Sequence, residues 1–308
     1  MFLYHYQYII SLMLSSSHSN NTSQSKLQSL VSKWHKPILA LVVLVGLISF
    51  VQEAPIDPWN LLSPKKIISM ILALTVFQVI GMALAGFLGA KNGTIVTGFI
   101  GGIISSTLTT ASLSRKSRHR HKYNSTPELL GVLTSSIAML LEAVTLVITG
   151  TSNFSFRTLI LFSGPIIATL VIIYLQYKKR GNREEQEQTS DFSILQTIQL
   201  AVFIVLIISL SKVSESIFGE NGIYLVTSIV SLFEVHGSII ANIQMFELKS
   251  IDIFALNNLL AISILSSYIS KLFLVWTLGS SRLRLQATKY IIIILFSLLL
   301  SLLISCFV

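Results

Sequence analysis

The chain has 308 residues, of which 52% are hydrophobic and 11% charged, and its mean hydropathy is +0.75. Soluble domains carry about a quarter charged residues, so this composition excludes a soluble globular enzyme, a disordered chain and a disulfide scaffold, and reads as a multi-span membrane protein. The excess of 22 Lys and Arg over 13 Asp and Glu belongs to loops flanking spans rather than to a nucleic-acid surface, and the single cysteine, Cys306, rules out a cysteine metal site.

Residues 1–36 stand apart. Met1–Leu14 is apolar but has no basic start, and Ser15–Ser29 is rich in Ser, Asn and Gln. This is either a cleaved signal peptide or a flexible or remnant tail, and the missing basic region favours the tail. Asn21-Thr22-Ser23 fits a glycosylation sequon. Pro37–Val51 comes next, a short first span or re-entrant piece, and residues 37–63 hold it with its loop.

Longer apolar segments then follow at Ile67–Ala90, Gly93–Leu113, Leu129–Ile148 and Leu159–Leu175. After a polar linker at 181–191 come Phe192–Leu210, Ile223–Ile243, Phe254–Trp276 and Tyr290–Val308. A helix crossing roughly 30 Å of hydrocarbon needs about 20 residues, and lipid tolerates no open sheet edge, so the fold class is all-α integral membrane with about 8–9 transmembrane helices. Ser63-Pro64 and Thr126-Pro127-Glu128 read as helix starts, and Pro165 predicts a kink.

The two halves look alike. Sliding the second half back over the first places Glu234-Val235-His236 on Ser105-Ser106-Thr107, and the same shift places Lys271 on Glu142. This predicts two four-helix repeats, residues 64–180 and 192–308, each with four spans and hence of the same orientation, with a polar site at their interface.

Gly98, Gly102, Ser105, Thr109 and Ser112 form one helical stripe flanked by Ser106 and Thr110. The stripe serves close helix packing through Gly98 and Gly102, or a hydroxyl-lined path through Ser105, Ser106, Thr107 and Thr109. Charged groups inside spans cost about 2.5 kcal/mol or more, so each needs a partner or water. Glu142 and Lys271 are expected to form a salt bridge across the pseudo-symmetry axis. Glu234 and His236, two residues apart on a helix, should point to nearly opposite sides of it and so fail as a metal pair. One of them would bind an ion or relay a proton. Ser106 and His236 could be imagined as nucleophile and base, but no catalytic motif accompanies them, so no enzyme and no cofactor is expected.

The loop Arg115–Lys122 holds five Lys or Arg and no acid. It is expected to face the cytoplasm of a cell membrane together with the C-terminus, and to meet anionic headgroups. Its His119 and His121 are a weak metal signal.

The run Gly98-Phe99-Ile100-Gly101-Gly102-Ile103-Ile104-Ser105-Ser106-Thr107, continued by Thr109–Arg115, resembles the signature of domain-of-unknown-function family 4010. The likeness runs from about Pro37 to the end and includes Pro58-Trp59 and Ser63-Pro64-Lys65. That family often follows an MgtC/SapB membrane domain, and the resemblance here is expected to be to the family domain without the MgtC-like half. The resemblance implies Asp-Val-Asp-Ala where Glu234-Val235-His236-Gly237 stands, Asn at Ser267 four residues before the retained Lys271, and Arg at Glu142. It implies no settled activity. Two readings follow: a transporter or ion-homeostasis protein with its site at the repeat interface, or a non-transporting subunit that binds a membrane partner or a second copy.

Overall fold

The computed structural model describes residues 21–52, 54, 63–88, 93–119, 125–152, 156–178, 206, 208–211, 213–214 and 216–307. Helices account for nearly all of them, and no strand occurs among the described residues. In chain order they are α1 (Asn21–Phe50), α2 (Pro64–Leu88), α3 (Gly93–His119), α4 (Thr126–Gly150), α5 (Phe156–Lys178), α6 (Glu220–Ser231), α7 (Val235–Glu247), α8 (Ile253–Leu278) and α9 (Ser281–Phe307). Six described helices, α2, α3, α4, α5, α8 and α9, have the length and apolar composition of a membrane span, although α3 is broken at Ser105. Their outward faces are apolar, with Ile167 and Val171 on α5 and Ile292, Phe296 and Leu303 on α9 all exposed, as a lipid-facing surface requires. The protein is therefore an all-α, multi-pass membrane protein.

Residues 21–36, expected as a flexible tail, are helical and run straight into the apolar His35–Phe50 stretch. No glycine or proline interrupts this part of the sequence before Pro37, so nothing stops the apolar helix from extending backwards. Residues 1–20, Pro58-Trp59, His121, the 181–191 linker and most of Phe192–Leu210 lie outside the described residues. At α4 the helix begins one residue before the expected start, with Ser125 as N-cap, and Pro165 sits within a continuous α5.

Two contact clusters fix which helix ends share a face. On one face, Lys66 at the start of α2 pairs with Glu247 at the end of α7, and its ammonium lies 3.3 Å from the hydroxyl of Ser152, just past α4. Ser152 in turn donates to Glu247 through its N–H (2.8 Å) and its hydroxyl (2.6 Å). On the other face, Arg118 at the end of α3 donates to the carbonyls of Thr277 (2.8 Å) and Gly279 (3.2 Å) at the end of α8. The Ser280 N–H donates to Ser117 Oγ at 2.9 Å, and the hydroxyls of Ser125 and Ser280 are 3.1 Å apart. These are the Lys66 face and the Arg118 face below.

The consequence is a correction. Gly93–Leu113 and Ile223–Ile243 were expected to cross the membrane, but each folds back on itself. In α3 the reversal is at Ser105, which has non-helical φ −164° and ψ 104°. The first arm runs parallel to α4: a Cβ added at Gly98 would meet Gly131, and one at Gly102 would meet Ser135. Gly131 also faces both Thr94 on the first arm and Leu113 on the second, so both arms return to the Arg118 face. Between α6 and α7 the reversal is at Leu232–Glu234. Thr227 on α6 donates to Asn242 Oδ1 on α7 at 3.2 Å, and Ile223 packs with Met245. The mouth of this second hairpin lies on the Lys66 face, where Ile223, Tyr224, Glu247, Lys249, Lys66 and Ser152 line a cavity of about 810 Å³.

The expected sidedness changes with it. Helices α5 and α9 pack antiparallel, with Gly164 N–H on Ser301 Oγ (3.1 Å) and Gln176 Nε2 on the Tyr290 hydroxyl (2.6 Å). Because α9 starts at the Arg118 face and runs away from it, the C-terminal end of α9 lies opposite the 115–119 segment, not beside it. In each half, then, one segment that was counted as a single span is a hairpin.

Helix α4 lies at the centre, buried along almost its whole length, with α2, both arms of α3, α5 and α7 packed around it. Its Thr134, Ser135 and Ser136 hydroxyls bond to carbonyls three or four residues back, at 2.8–3.1 Å. A wholly buried helix can thus carry hydroxyls without orphaned donors.

Candidate functional site

The two hairpin tips are built alike. Ser105 and Glu234, which sliding one half of the sequence over the other aligns, both adopt extended backbone, Glu234 at φ −142° and ψ 98°. Each caps the arm that follows it: Ser105 Oγ accepts from the Leu108 N–H at 3.3 Å, and Glu234 Oε1 accepts from the His236 N–H at 3.1 Å. An N-cap acceptor satisfies a donor that the broken helix would otherwise leave open in the apolar layer. The Glu234 carboxylate also complements the positive end of α7.

Around the first tip, Ser106 and Thr110 are buried, and Thr110 donates to the Ser106 carbonyl at 2.8 Å. Thr107 and Thr109 are half-buried, and Thr109 on the second arm stands against Gly101 on the first. Gly98 and Gly102 are the close-approach positions: an added Cβ would lie 2.4 Å from Gly131 O and 2.5 Å from Ser135 Cα.

At the second tip, three side chains stand in a row. His236 Nδ1 is 3.4 Å from Glu234 Oε1, and His236 Nε2 is 3.1 Å from Glu142 Oε2 on α4. The row is graded in exposure: the Glu234 side chain is 33% accessible, that of His236 15% and that of Glu142 1%. The expectation that Glu234 and His236 point to opposite sides assumed an unbroken helix. The extended residue at 234 removes that geometry and lets both side chains meet. With the imidazole between the two carboxylates, their oxygens do not converge on one point, and among the described residues no group of three or more His, Cys, Asp or Glu could hold a metal ion.

The expected Glu142–Lys271 salt bridge is not formed. Glu142 meets His236, while the fully buried Lys271 ammonium donates to Ser267 Oγ (2.8 Å) and contacts Met139 Sδ on α4 (2.9 Å). It also lies 5.5 Å from the Tyr268 ring centre. Met139 and Glu142 are three residues apart on α4, so Lys271 sits one turn along the helix from the carboxylate it was expected to pair with. Ser106 and His236 lie on different hairpins.

Sequence reasoning did not single out Asn242 and Gln244 on α7. Both are fully buried; Asn242 Nδ2 and both polar atoms of the Gln244 side chain make no hydrogen bond. The signal for them was only an Asn and a Gln inside an apolar run.

At the aqueous mouth of the second hairpin, Glu247 experiences burial, which would raise its pKa. The Lys66 ammonium and the two Ser152 donors outweigh that and hold the carboxyl below its ordinary value.

No curated protein and no solved structure matches the chain. A family model does, over residues 72–279, which span both hairpins, α4, α5 and α8 together with Glu142, Glu234, His236 and Lys271. That match takes in well over half of the sequence, and the chain belongs to DUF4010, a family described as a domain of unknown function.

Proposed function

We propose that this protein is a secondary membrane transporter for a small ion or charged solute, with its site where the two hairpin tips approach α4 and α8. The observation that carries the reading is the pair of helix reversals at Ser105 and Glu234, corresponding places in the two halves, with one hairpin opening to each face. Irregular backbone is tolerated at membrane depth only where protein or water satisfies it, and discontinuous helices in corresponding halves are the usual form of a transporter's mid-membrane site.

The units keep the boundaries 64–180 and 192–308. Each holds one hairpin, and α4 runs from the Arg118 face to the Lys66 face whereas α8 runs the opposite way. The second unit is therefore inverted relative to the first, and the relating axis lies in the membrane plane. Glu142 on α4 and Lys271 on α8 are then equivalent positions approached from opposite faces.

The inverted arrangement also sharpens the orientation. Arg115, Lys116, Arg118, Lys178, Arg282, Arg284 and Lys289 gather on the Arg118 face, against Lys65, Lys66, Arg157 and Lys249 on the other. That asymmetry favours a cytoplasmic Arg118 face, with Arg115 and Lys116 available to anionic headgroups.

The test is flux in proteoliposomes over a panel of inorganic cations, inorganic anions and small carboxylates. Gradient-driven uptake by the wild type, lost in Lys271→Met and Glu142→Gln with the fold intact, is the expected result. No uptake of any panel member overturns the reading and leaves the partner-subunit alternative.

A further inference from the structure

Resting on the transport reading, we infer that Glu234, His236 and Glu142 form a proton relay that loads the buried Glu142 carboxyl from the open side of the second hairpin tip.

Three observations carry it. The contacts are consecutive: Glu234 Oε1 to His236 Nδ1 at 3.4 Å, then His236 Nε2 to Glu142 Oε2 at 3.1 Å. Exposure falls along the row, from the part-exposed Glu234 through His236 to Glu142. The buried end is also isolated: Glu142 Oε2 and His236 Nε2 are both shielded from solvent, and beyond each other at 3.1 Å neither has another hydrogen-bond partner.

Imidazole is the one side chain that accepts a proton on one nitrogen while releasing one from the other. A proton taken up on the Glu234 carboxylate passes to Nδ1 and the Nε2 proton moves to Glu142 Oε2, leaving the Nδ1–H imidazole; loss of the Nδ1 proton to water and gain of one from water at Nε2 restore the starting tautomer. Glu234 returns to carboxylate, Glu142 becomes the neutral acid, and one proton has moved inward. Release follows when the tips open to the other face.

The neighbours leave this path clear of competing groups. The α3 hairpin from Gly93 to Ser114 and α2 beyond Lys66 bring no titratable side chain, and on α5 Tyr174 and Tyr177 point outward. On α8 the titratable side chains are Tyr268 and Lys271, and Lys271 is held by Ser267 and Met139; Glu128 is at the opposite end of α4, and Tyr224 and Glu247 are at the mouth of the second hairpin. Lys289 and Tyr290 on α9 lie towards the Arg118 face.

Glu234→Gln is the informative variant. Glutamine keeps an oxygen that can cap the His236 N–H, so the tip retains its fold, but it cannot carry the proton. The first readout is infrared detection of the Glu142 acid carbonyl in the detergent-solubilised protein, identified by its loss in Glu142→Gln, together with the rate at which it exchanges on transfer to D₂O. Removing a positioned proton-transfer group should slow exchange roughly 100-fold in Glu234→Gln and in His236→Gln. Absence of a Glu142 acid band at mildly acidic pH, or exchange as fast in both variants as in the wild type, overturns the relay. The second readout is proton entry into potential-clamped proteoliposomes containing a pH dye. Exchange through the relay without proton entry or solute flux keeps the relay and overturns the transport reading. Proton entry lost in Glu234→Gln supports both.

Discussion

The hairpin between α6 and α7 makes a prediction that a spanning helix cannot share. Arms of 12 and 13 residues reach about 18–20 Å at 1.5 Å per residue. That is enough to enter hydrocarbon roughly 30 Å thick but not to cross it. An unbroken helix over residues 220–247 would measure about 42 Å and put its ends on opposite sides. Ser216 and Ser250 flank the two arms and are both exposed. In a Cys306→Ser background, Ser216→Cys and Ser250→Cys should react with a membrane-impermeant maleimide from the same side. Arg115→Cys and Arg282→Cys should react from the other side. Measured in sealed vesicles of known orientation, labelling of positions 216 and 250 from opposite sides would refute the hairpin, and with it the inverted relation of the halves.

The remaining predictions concern stability and the buried charges. Gly98→Ala and Gly102→Ala should each lower the melting temperature in detergent, because the new methyl meets α4 backbone within 2.6 Å; the overpacking cost of about 1–3 kcal/mol exceeds the gain in helix propensity. Gly46→Ala is the control, with nothing within 4 Å of the added atom, and it should be neutral or mildly stabilising. Lys271→Met should match or exceed the wild type in thermal stability, since a buried ammonium with no carboxylate partner is costly to hold, while transport is lost; a clear fall in melting temperature would count against this account of the site. Because the Glu247 carboxyl titrates below its ordinary 4.5, its contribution is present above that pH and fades as pH falls through the lowered value. The stability gap between wild type and Glu247→Gln should therefore shrink on acidification below pH 4.5, as followed by thermal unfolding across a pH series.

Much of the architecture was legible in the residues. Apolar segment lengths predicted a helical membrane protein, and superposing the two halves of the sequence aligned Ser105 with Glu234, the two residues at the helix reversals. Reversal itself was not legible, because hydropathy over about 20 residues is the same for a crossing helix and for two arms folded together. Direction is set by tertiary contacts such as Thr94 and Leu113 meeting at Gly131. The glycine- and hydroxyl-rich interruption in corresponding segments was the available clue, and a stripe argument hid it by assuming continuous helix through Ser105. The Glu142–His236 contact was missed for the same reason. Opposite charges at positions that the sequence shift aligns suggested that Glu142 and Lys271 face each other, but Lys271 reaches Met139, one turn along α4 from Glu142.

The two clusters that tie the helix ends together cross between the halves. The first hairpin, from residues 64–180, is fastened through Arg118 and Ser117 to the end of α8, and the second, from 192–308, is fastened through Glu247 to Lys66 and Ser152. Each half therefore holds the other's hairpin by its mouth, like two interlocked clasps. Rocking one half as a rigid body against the other would tear both clasps at once. A motion that kept the mouths fixed and swung the capped tips at Ser105 and Glu234 would break neither cluster.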